Sequence, residues 1–162
     1  DLPPGTTIGA IIRAEQVLIA HDNTVLETGD VDRVKDAGGE IVVSPNSNVE
    51  VIRRTVEVGL VSAPGYFTPT EACAAVKAGA HSLKLFPAEA ANPGVLKAHL
   101  AVLPRGIPLL VVGGLNAGNL QPWLDAGASG FGIGSGIYKP GDTAAEVGAK
   151  ARALVSALPR QS

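Results

Sequence analysis

Methionine is absent from this sequence of 162 residues, cysteine occurs once, and aromatic residues make up only 4% of the chain. Because Cys73 has no second cysteine to pair with, a disulfide within this sequence is excluded, and we expect a cytoplasmic setting. The position of Cys73 among alanines predicts a packed thiol rather than a nucleophile. A sequence that begins at Asp1 without methionine is expected to be a processed, truncated or incompletely represented polypeptide.

An excess of charge of either sign is also missing. The formal net charge is −2, and lysines and arginines are scattered, so no nucleic-acid partner and no anionic membrane surface are expected. No apolar run reaches the length of a membrane span, and no secretory signal peptide opens the sequence.

Glycine is abundant, with 20 residues, and short β-rich runs alternate with longer helical stretches. The runs begin about 19 to 26 residues apart, which is the length of one strand, one helix and their loops. They are residues 40–45, 59–64, 82–87, 108–114 and 130–135. Their continuous apolar character is typical of parallel strands covered on their outer face. We therefore expect one α/β domain that spans residues 1–162.

Polar or glycine-rich residues recur where these runs end. They are residues 44–46, 64–65, 87–89, 113–114 and 134–135. A strand–helix repeat of this regularity forms either a doubly wound sheet or a TIM (βα)8 barrel. In a barrel the carboxyl ends of the strands form one ring around the catalytic face, so we favour the barrel.

Lys84 lies in the middle of the third run, between Leu83 and Leu85. Removing an ammonium group from water is costly, so a lysine with apolar neighbours has a lowered pKa. The neutral amine can then attack a carbonyl group and form a Schiff base. The alternative is a structural lysine that extends to the strand end or pairs with a carboxylate.

Two glycine-rich segments follow the last two predicted strands. Gly113 and Gly114 end one strand, and Gly134 and Ser135 end the next. Barrels commonly bind phosphate between these two loops through backbone N–H groups. The alternative is that the glycines only allow tight strand-to-helix turns. Their occurrence in consecutive units favours phosphate binding.

Other catalytic signatures are missing from the sequence. The three histidines, His21, His81 and His99, have no metal-site spacing, and His99 is expected on an exposed helix. There is no phosphate-binding P-loop and no G-x-S-x-G nucleophile motif. The segment 132–136 lacks the acidic residue and strand order of a dinucleotide site. We therefore expect no metal and no cofactor.

Five motifs, in their order along the chain, resemble those of the 2-keto-3-deoxy-6-phosphogluconate/phosphogalactonate aldolases. They are residues 44–46 with 53–54, 63–65 with 68–71, 83–87, 112–114 and 134–135. The resemblance runs from about Val31 to the C-terminus. The segment 44–56 is closer to the phosphogalactonate branch.

The resemblance implies a class I aldolase on a TIM barrel, usually a homotrimer that needs no metal. Its substrate would be a phosphorylated keto acid, cleaved to pyruvate and glyceraldehyde 3-phosphate. Lys84 matches the Schiff-base lysine of the family on its sixth strand. The phosphate-binding loops match Gly113, Gly114, Gly134 and Ser135. The substrate-binding loop after the fifth strand matches Pro64 and Gly65.

Residues 1–30 depart from the family pattern. The third-strand motif is interrupted, since residues 8–10 are separated from 24–26, and a first-strand-like piece with Arg13 lies between them. The second strand, which carries the general acid/base glutamate, has no counterpart. Arg13 and Thr24 are candidate residues for the substrate carboxylate. The N-terminal barrel units are therefore expected to be incomplete, rearranged by engineering, or naturally without the base.

Two other functions remain open at this point. The missing glutamate is compatible with a catalytically silent barrel that binds a phosphorylated ligand or serves in assembly. Phosphate-binding barrels also catalyse isomerase, epimerase or transferase reactions, although the lysine-bearing strand counts against these. The configuration at C4 of the substrate, gluconate or galactonate, is not encoded in any of these motifs.

Overall fold

Strands and helices alternate along the chain in a computed structural model that describes residues 10–11 and 27–158. The strands are β1 (Ala10–Ile11), β2 (Ile41–Ser44), β3 (Val61–Tyr66), β4 (Leu83–Leu85), β5 (Leu109–Val112) and β6 (Gly130–Ile133). The helices are α1 (Thr28–Asp36), α2 (Val49–Glu57), α3 (Pro69–Lys77), α4 (Pro93–Val102), α5 (Gln121–Asp125) and α6 (Ala144–Ser156), with a 3₁₀ turn at Ala88–Ala90. All five predicted strands are confirmed, with ends shifted by one or two residues.

The strands form one sheet in the order β1-β6-β5-β4-β3-β2. Neighbouring strands from β2 to β6 are parallel, and helices connect them, so the α/β prediction is confirmed. These five strands make a parallel half-barrel. β1 pairs antiparallel with β6, unlike the strands of an all-parallel barrel. This agrees with the expectation of incomplete or rearranged N-terminal units.

Local sequence signals fix the ends of the helices. Thr68 accepts a hydrogen bond from the Glu71 N–H, and the Glu71 carboxylate accepts one from the Thr68 N–H, so α3 begins with a capping box. Pro69 occupies the first turn, where its missing N–H costs nothing. Gly79, after the end of α3, has φ +101°, a conformation that glycine adopts without strain. These local signals account for where α3 begins and ends.

The main core lies between the parallel strands and the helices that cover one face of the sheet. Leu83, Leu85, Leu109 and Val111 supply its centre and are fully buried. Helix α3 presents Ala72 and Ala75 to this core, which leaves Cys73 exposed. The expectation of a packed Cys73 thiol was therefore wrong, because the residue faces away from the sheet. No helix within residues 27–158 is long and apolar enough to cross a bilayer.

Candidate active site

Lys84 is the central residue of β4 and lies in one row with residues of neighbouring strands. Its Cα is in register with Gly65 on β3 and with Leu110 on β5. Side chains alternate between the two faces of a strand, so Leu83 and Leu85 enter the helix-covered core while Lys84 lies on the opposite, inner face. Only 7% of Lys84 is exposed. The sequence prediction of a buried lysine is confirmed.

Burial changes the proton affinity of Lys84. It lowers the pKa of the amine from 10.5 to about 8, because desolvation destabilises the ammonium form. The Nζ atom lies 5.1 Å from the centroid of the Phe86 ring, which gives the cation some compensation. No carboxylate of residues 27–158 lies within 4.0 Å of Nζ, so the alternative of a structural ion pair has no support there.

Pro64 and Gly65 lie inside β3 rather than in a loop after it, because the strand continues to Tyr66. This corrects the position expected for them. A Cβ at Gly65 would collide with the Pro45 carbonyl oxygen, so glycine is required for the close approach of the two chain segments. The Ser47 hydroxyl donates to the Gly65 carbonyl oxygen at 2.6 Å and fixes this approach.

The segment after β5 turns through two glycines with positive φ. Gly113 has φ +119° and Gly114 has φ +61°, and both values are strained for other residues. The Asn119 side-chain amide donates to the Gly114 carbonyl oxygen at 3.0 Å, and its Oδ1 accepts from the Asn116 N–H at 2.9 Å. The loop therefore has a defined shape.

The segment after β6 lies directly against this loop. A Cβ at Gly136 would collide with the Leu115 carbonyl oxygen, so the two loops are in backbone contact. Among the described residues, the N–H groups of Gly114, Leu115, Ser135 and Gly136 in these loops donate to no acceptor. Open space lies beside Gly134, where a Cβ would meet nothing within 4 Å. Unpaired N–H groups around an open space are suited to binding an anion.

Glu89 contacts the glycine loop and was given no role from sequence. It belongs to the 3₁₀ turn that follows Lys84 by four to six residues. Its side chain occupies the space in which side chains at Gly113 and Gly114 would lie: a Cβ at Gly114 would be 2.7 Å from Glu89 Cγ. The sequence indicated that residues 87–89 follow the carboxyl end of a strand. No pattern in the sequence indicated that Glu89 contacts the glycine loop.

His99 is buried on α4, so the expectation of an exposed histidine was wrong. Its Nδ1 lies 3.3 Å from the Tyr66 hydroxyl oxygen, at hydrogen-bond distance. Burial raises the pKa of Tyr66 and lowers the pKa of His99, so both side chains are neutral at pH 7. The pair joins α4 to β3 on the core side of the sheet, behind the row that contains Lys84.

Two predicted site residues, Arg13 and Thr24, lie outside the described residues. Within residues 27–158, no cluster of three or more histidine, cysteine, aspartate or glutamate residues is arranged to hold a metal ion. The described part of the site therefore has Lys84 and Gly65 in register on neighbouring strands, and the paired glycine loops at the ends of the next two strands, β5 and β6.

Comparison with known proteins matches most of the chain to one aldolase family. A family model described as KDPG and KHG aldolase matches residues 5–147. A probable 2-dehydro-3-deoxy-6-phosphogalactonate aldolase of Rhizobium meliloti (strain 1021) is 42% identical over 155 residues, covering 96% of this chain and 68% of that protein. The 2-dehydro-3-deoxy-6-phosphogalactonate aldolase of Escherichia coli (strain K12) is 43% identical over 153 residues, covering 93% and 74%.

The same similarity is found among solved structures. The native KDPGal structure superimposes with a TM-score of 0.81 and 43% sequence identity, over 83% of this chain and 65% of that chain. The sheet thus matches a TIM-barrel aldolase with part of the barrel missing. The chain spans about two thirds of the length of the relatives that it matches.

Proposed function

The chain belongs to the KDPG and KHG aldolase family, and on that premise we propose that it is a class I aldolase that acts on a 2-keto-3-deoxy-6-phospho sugar acid. The observation that carries the proposal is Lys84, a buried amine with a pKa of about 8 on the strand next to β5, which ends at the Gly113–Gly114 loop. Such an amine is deprotonated often enough near neutral pH to act as a nucleophile.

The reaction begins at the C2 ketone of the substrate. The Lys84 amine adds to C2, and loss of one water molecule leaves a protonated imine that joins Nζ to C2. This cationic group withdraws the electron pair of the C3–C4 bond. The protonated imine therefore supplies the electron sink that carbon–carbon cleavage needs.

Cleavage then gives two three-carbon products. The C4 hydroxyl loses its proton to a base, C4 becomes the aldehyde carbon of glyceraldehyde 3-phosphate, and the C3–C4 electrons form an enamine on C3. Protonation of C3 restores the imine. Addition of water at C2 releases pyruvate and regenerates the Lys84 amine. The water consumed here replaces the one lost when the imine formed.

The phosphate would be bound at a distance from the reacting bond. We assign it to the loops of Gly113, Gly114, Gly134 and Ser135. The unpaired N–H groups of these loops among the described residues, such as those of Gly114 and Ser135, support this assignment. Binding energy from a group that does not react helps to position the reacting centre. Pro64 and Gly65 would line the substrate site, and the resemblance assigns the carboxylate to Arg13 and Thr24.

The galactonate substrate is favoured over its C4 epimer. Two relatives at 42% and 43% identity are named as phosphogalactonate aldolases, the first as a probable one. The two substrates differ only in the orientation of one hydroxyl group. Pyruvate release from each substrate at equal concentration measures the preference, and we expect the phosphogalactonate compound to be cleaved faster.

The experiment that tests the proposal compares Lys84→Met with Lys77→Met. Lys77 is an exposed lysine at the end of α3, so the control changes the same residue type away from the site. We expect Lys84→Met to lower pyruvate release by roughly a thousandfold or more and Lys77→Met to leave it unchanged. Full turnover by Lys84→Met would refute the proposal. Tight sugar-phosphate binding without turnover by the unmodified chain would favour a silent binding barrel.

The homotrimer and the cytoplasmic location stay predictions. The first comes from the resemblance and the second from the single cysteine. Light scattering of the purified chain tests the trimer, which predicts a mass three times the 16.4 kDa of the chain.

A further inference from the structure

The Glu89 carboxylate lies on the loop to which we assign the phosphate. A Cβ placed on Gly113 would collide with Glu89 Oε2 and would lie 3.0 Å from Cδ. On Gly114 it would lie 3.2 Å from Cδ and 3.3 Å from Oε1. Both oxygens of this carboxylate therefore lie close to the two glycines. An anionic group of the protein occupies the position beside the loop that has unpaired N–H groups.

No specific partner holds Glu89 there. Its carboxylate accepts no hydrogen bond and makes no ion pair within the described part of the chain, and the residue is exposed to solvent. Lys84, only five residues earlier, is more than 4.0 Å from it. Rotation about the side-chain bonds of Glu89 would therefore break only its packing on the two glycines, so movement of the carboxylate into water has a low cost.

We propose that Glu89 is a gate on the Gly113–Gly114 loop. Its carboxylate rests on the loop while the phosphate subsite is empty, and it moves into solvent when a phosphoryl group binds. The inference rests on the proposed function, because it takes this loop as the phosphate-binding loop. Glu89 is thereby a specificity-determining residue for the ligand group that enters.

The physical basis is competition between two anions for one loop. A phosphoryl group accepts several hydrogen bonds from backbone N–H groups, and so it can compensate for displacing one carboxylate. A ligand without this group gains too little from the loop to displace Glu89. Like charges close together repel, so the carboxylate also lowers the affinity of the loop for phosphate until it has moved away.

Inorganic phosphate is the probe that tests the gate, in calorimetric titrations of the full chain at low ionic strength. The variants are Glu89→Gln, which removes the charge, and Glu89→Ala, which removes the side chain. Glu40→Gln is the matched control, because Glu40 is an exposed glutamate that precedes β2 at the opposite edge of the sheet. Trapping of pyruvate on Lys84 by borohydride is measured on the same samples, since pyruvate carries no phosphate.

We expect both Glu89 variants to bind inorganic phosphate about three- to tenfold more tightly than the unmodified chain, with no change for Glu40→Gln. The gain should shrink in 0.5 M salt because added ions screen the repulsion. Pyruvate trapping should be equal in all four proteins.

Equal or weaker phosphate binding by both Glu89 variants would overturn the gate, as would failure of every protein to bind phosphate. These results would leave the lysine chemistry intact if pyruvate were still trapped. Tighter phosphate binding by the variants without any pyruvate adduct would support the gate and refute the aldolase proposal. The two claims therefore fail separately.

Discussion

Replacing Lys84 by methionine should make the folded protein more stable at neutral pH. Lys84 is 7% exposed, and none of the described carboxylates pairs with it. Methionine has a similar length and no charge, so it fills the same space without the cost of desolvation. A residue retained for chemistry at the expense of stability is expected to behave in this way.

The size of the effect follows from the pKa of Lys84. A shift from 10.5 to about 8 means that the ammonium form is destabilised in the folded state by about 3 kcal/mol. We expect Lys84→Met to raise the free energy of unfolding at pH 7 by up to about 3 kcal/mol.

The sign of the pH dependence provides a second check. Below pH 8 the lysine is protonated in both states, and the folded state bears the full cost of burying the charge. Between pH 8 and 10.5 the unfolded state binds more protons than the folded state, so the stability of the unmodified chain rises with pH. The advantage of Lys84→Met should therefore decline across this range and be small above pH 10.5.

Urea unfolding at pH 7, 9 and 10.5 measures these free energies, with Lys77→Met as the control. Lys77 is exposed, so its replacement should change stability by less than about 0.5 kcal/mol at every pH. A lower stability of Lys84→Met at pH 7, or a difference that does not vary with pH, would refute the conclusion that Lys84 is a desolvated amine.

Two further changes test the loops and the helix cap. Gly113→Ala should lower the free energy of unfolding by about 1 to 3 kcal/mol, because Gly113 has φ +119° and its Cβ would collide with Glu89. Gly134→Ala should leave stability unchanged but weaken phosphate binding in titrations, since its Cβ would enter the open space assigned to the phosphate. Unchanged phosphate binding by this variant would contradict that assignment. Thr68→Ala should destabilise the protein by about 1 kcal/mol in urea unfolding through loss of the α3 cap, whereas Thr70→Ala, at an exposed site in the same helix, should not.

Patterns that act over a few residues predicted the structure well. The apolar runs identified β2 to β6, because the burial of a strand depends on neighbours in sequence. The burial of Lys84 was also predictable, because Leu83 and Leu85 on either side of it are apolar residues of a strand expected to be buried. These parts of the site follow directly from the sequence.

Contacts between distant segments were not predictable in the same way. Pro64 and Gly65 are typical of a strand end, yet β3 continues to Tyr66 because its last two residues pair with Lys84 and Leu85 of β4. His99 is buried because α4 turns it toward Tyr66, and helix orientation depends on the whole fold. The contact of Glu89 with Gly113 likewise depends on how the turn after β4 packs beside β5.

Borohydride trapping with pyruvate, followed by peptide mass spectrometry, tests the central claim most directly. We predict a single reduced adduct on Lys84, none in Lys84→Met, and a trapping rate that rises with pH toward 8 as the amine loses its proton. A folded protein that forms no adduct, or that forms one on another lysine such as Lys77, would contradict the proposed Schiff-base chemistry.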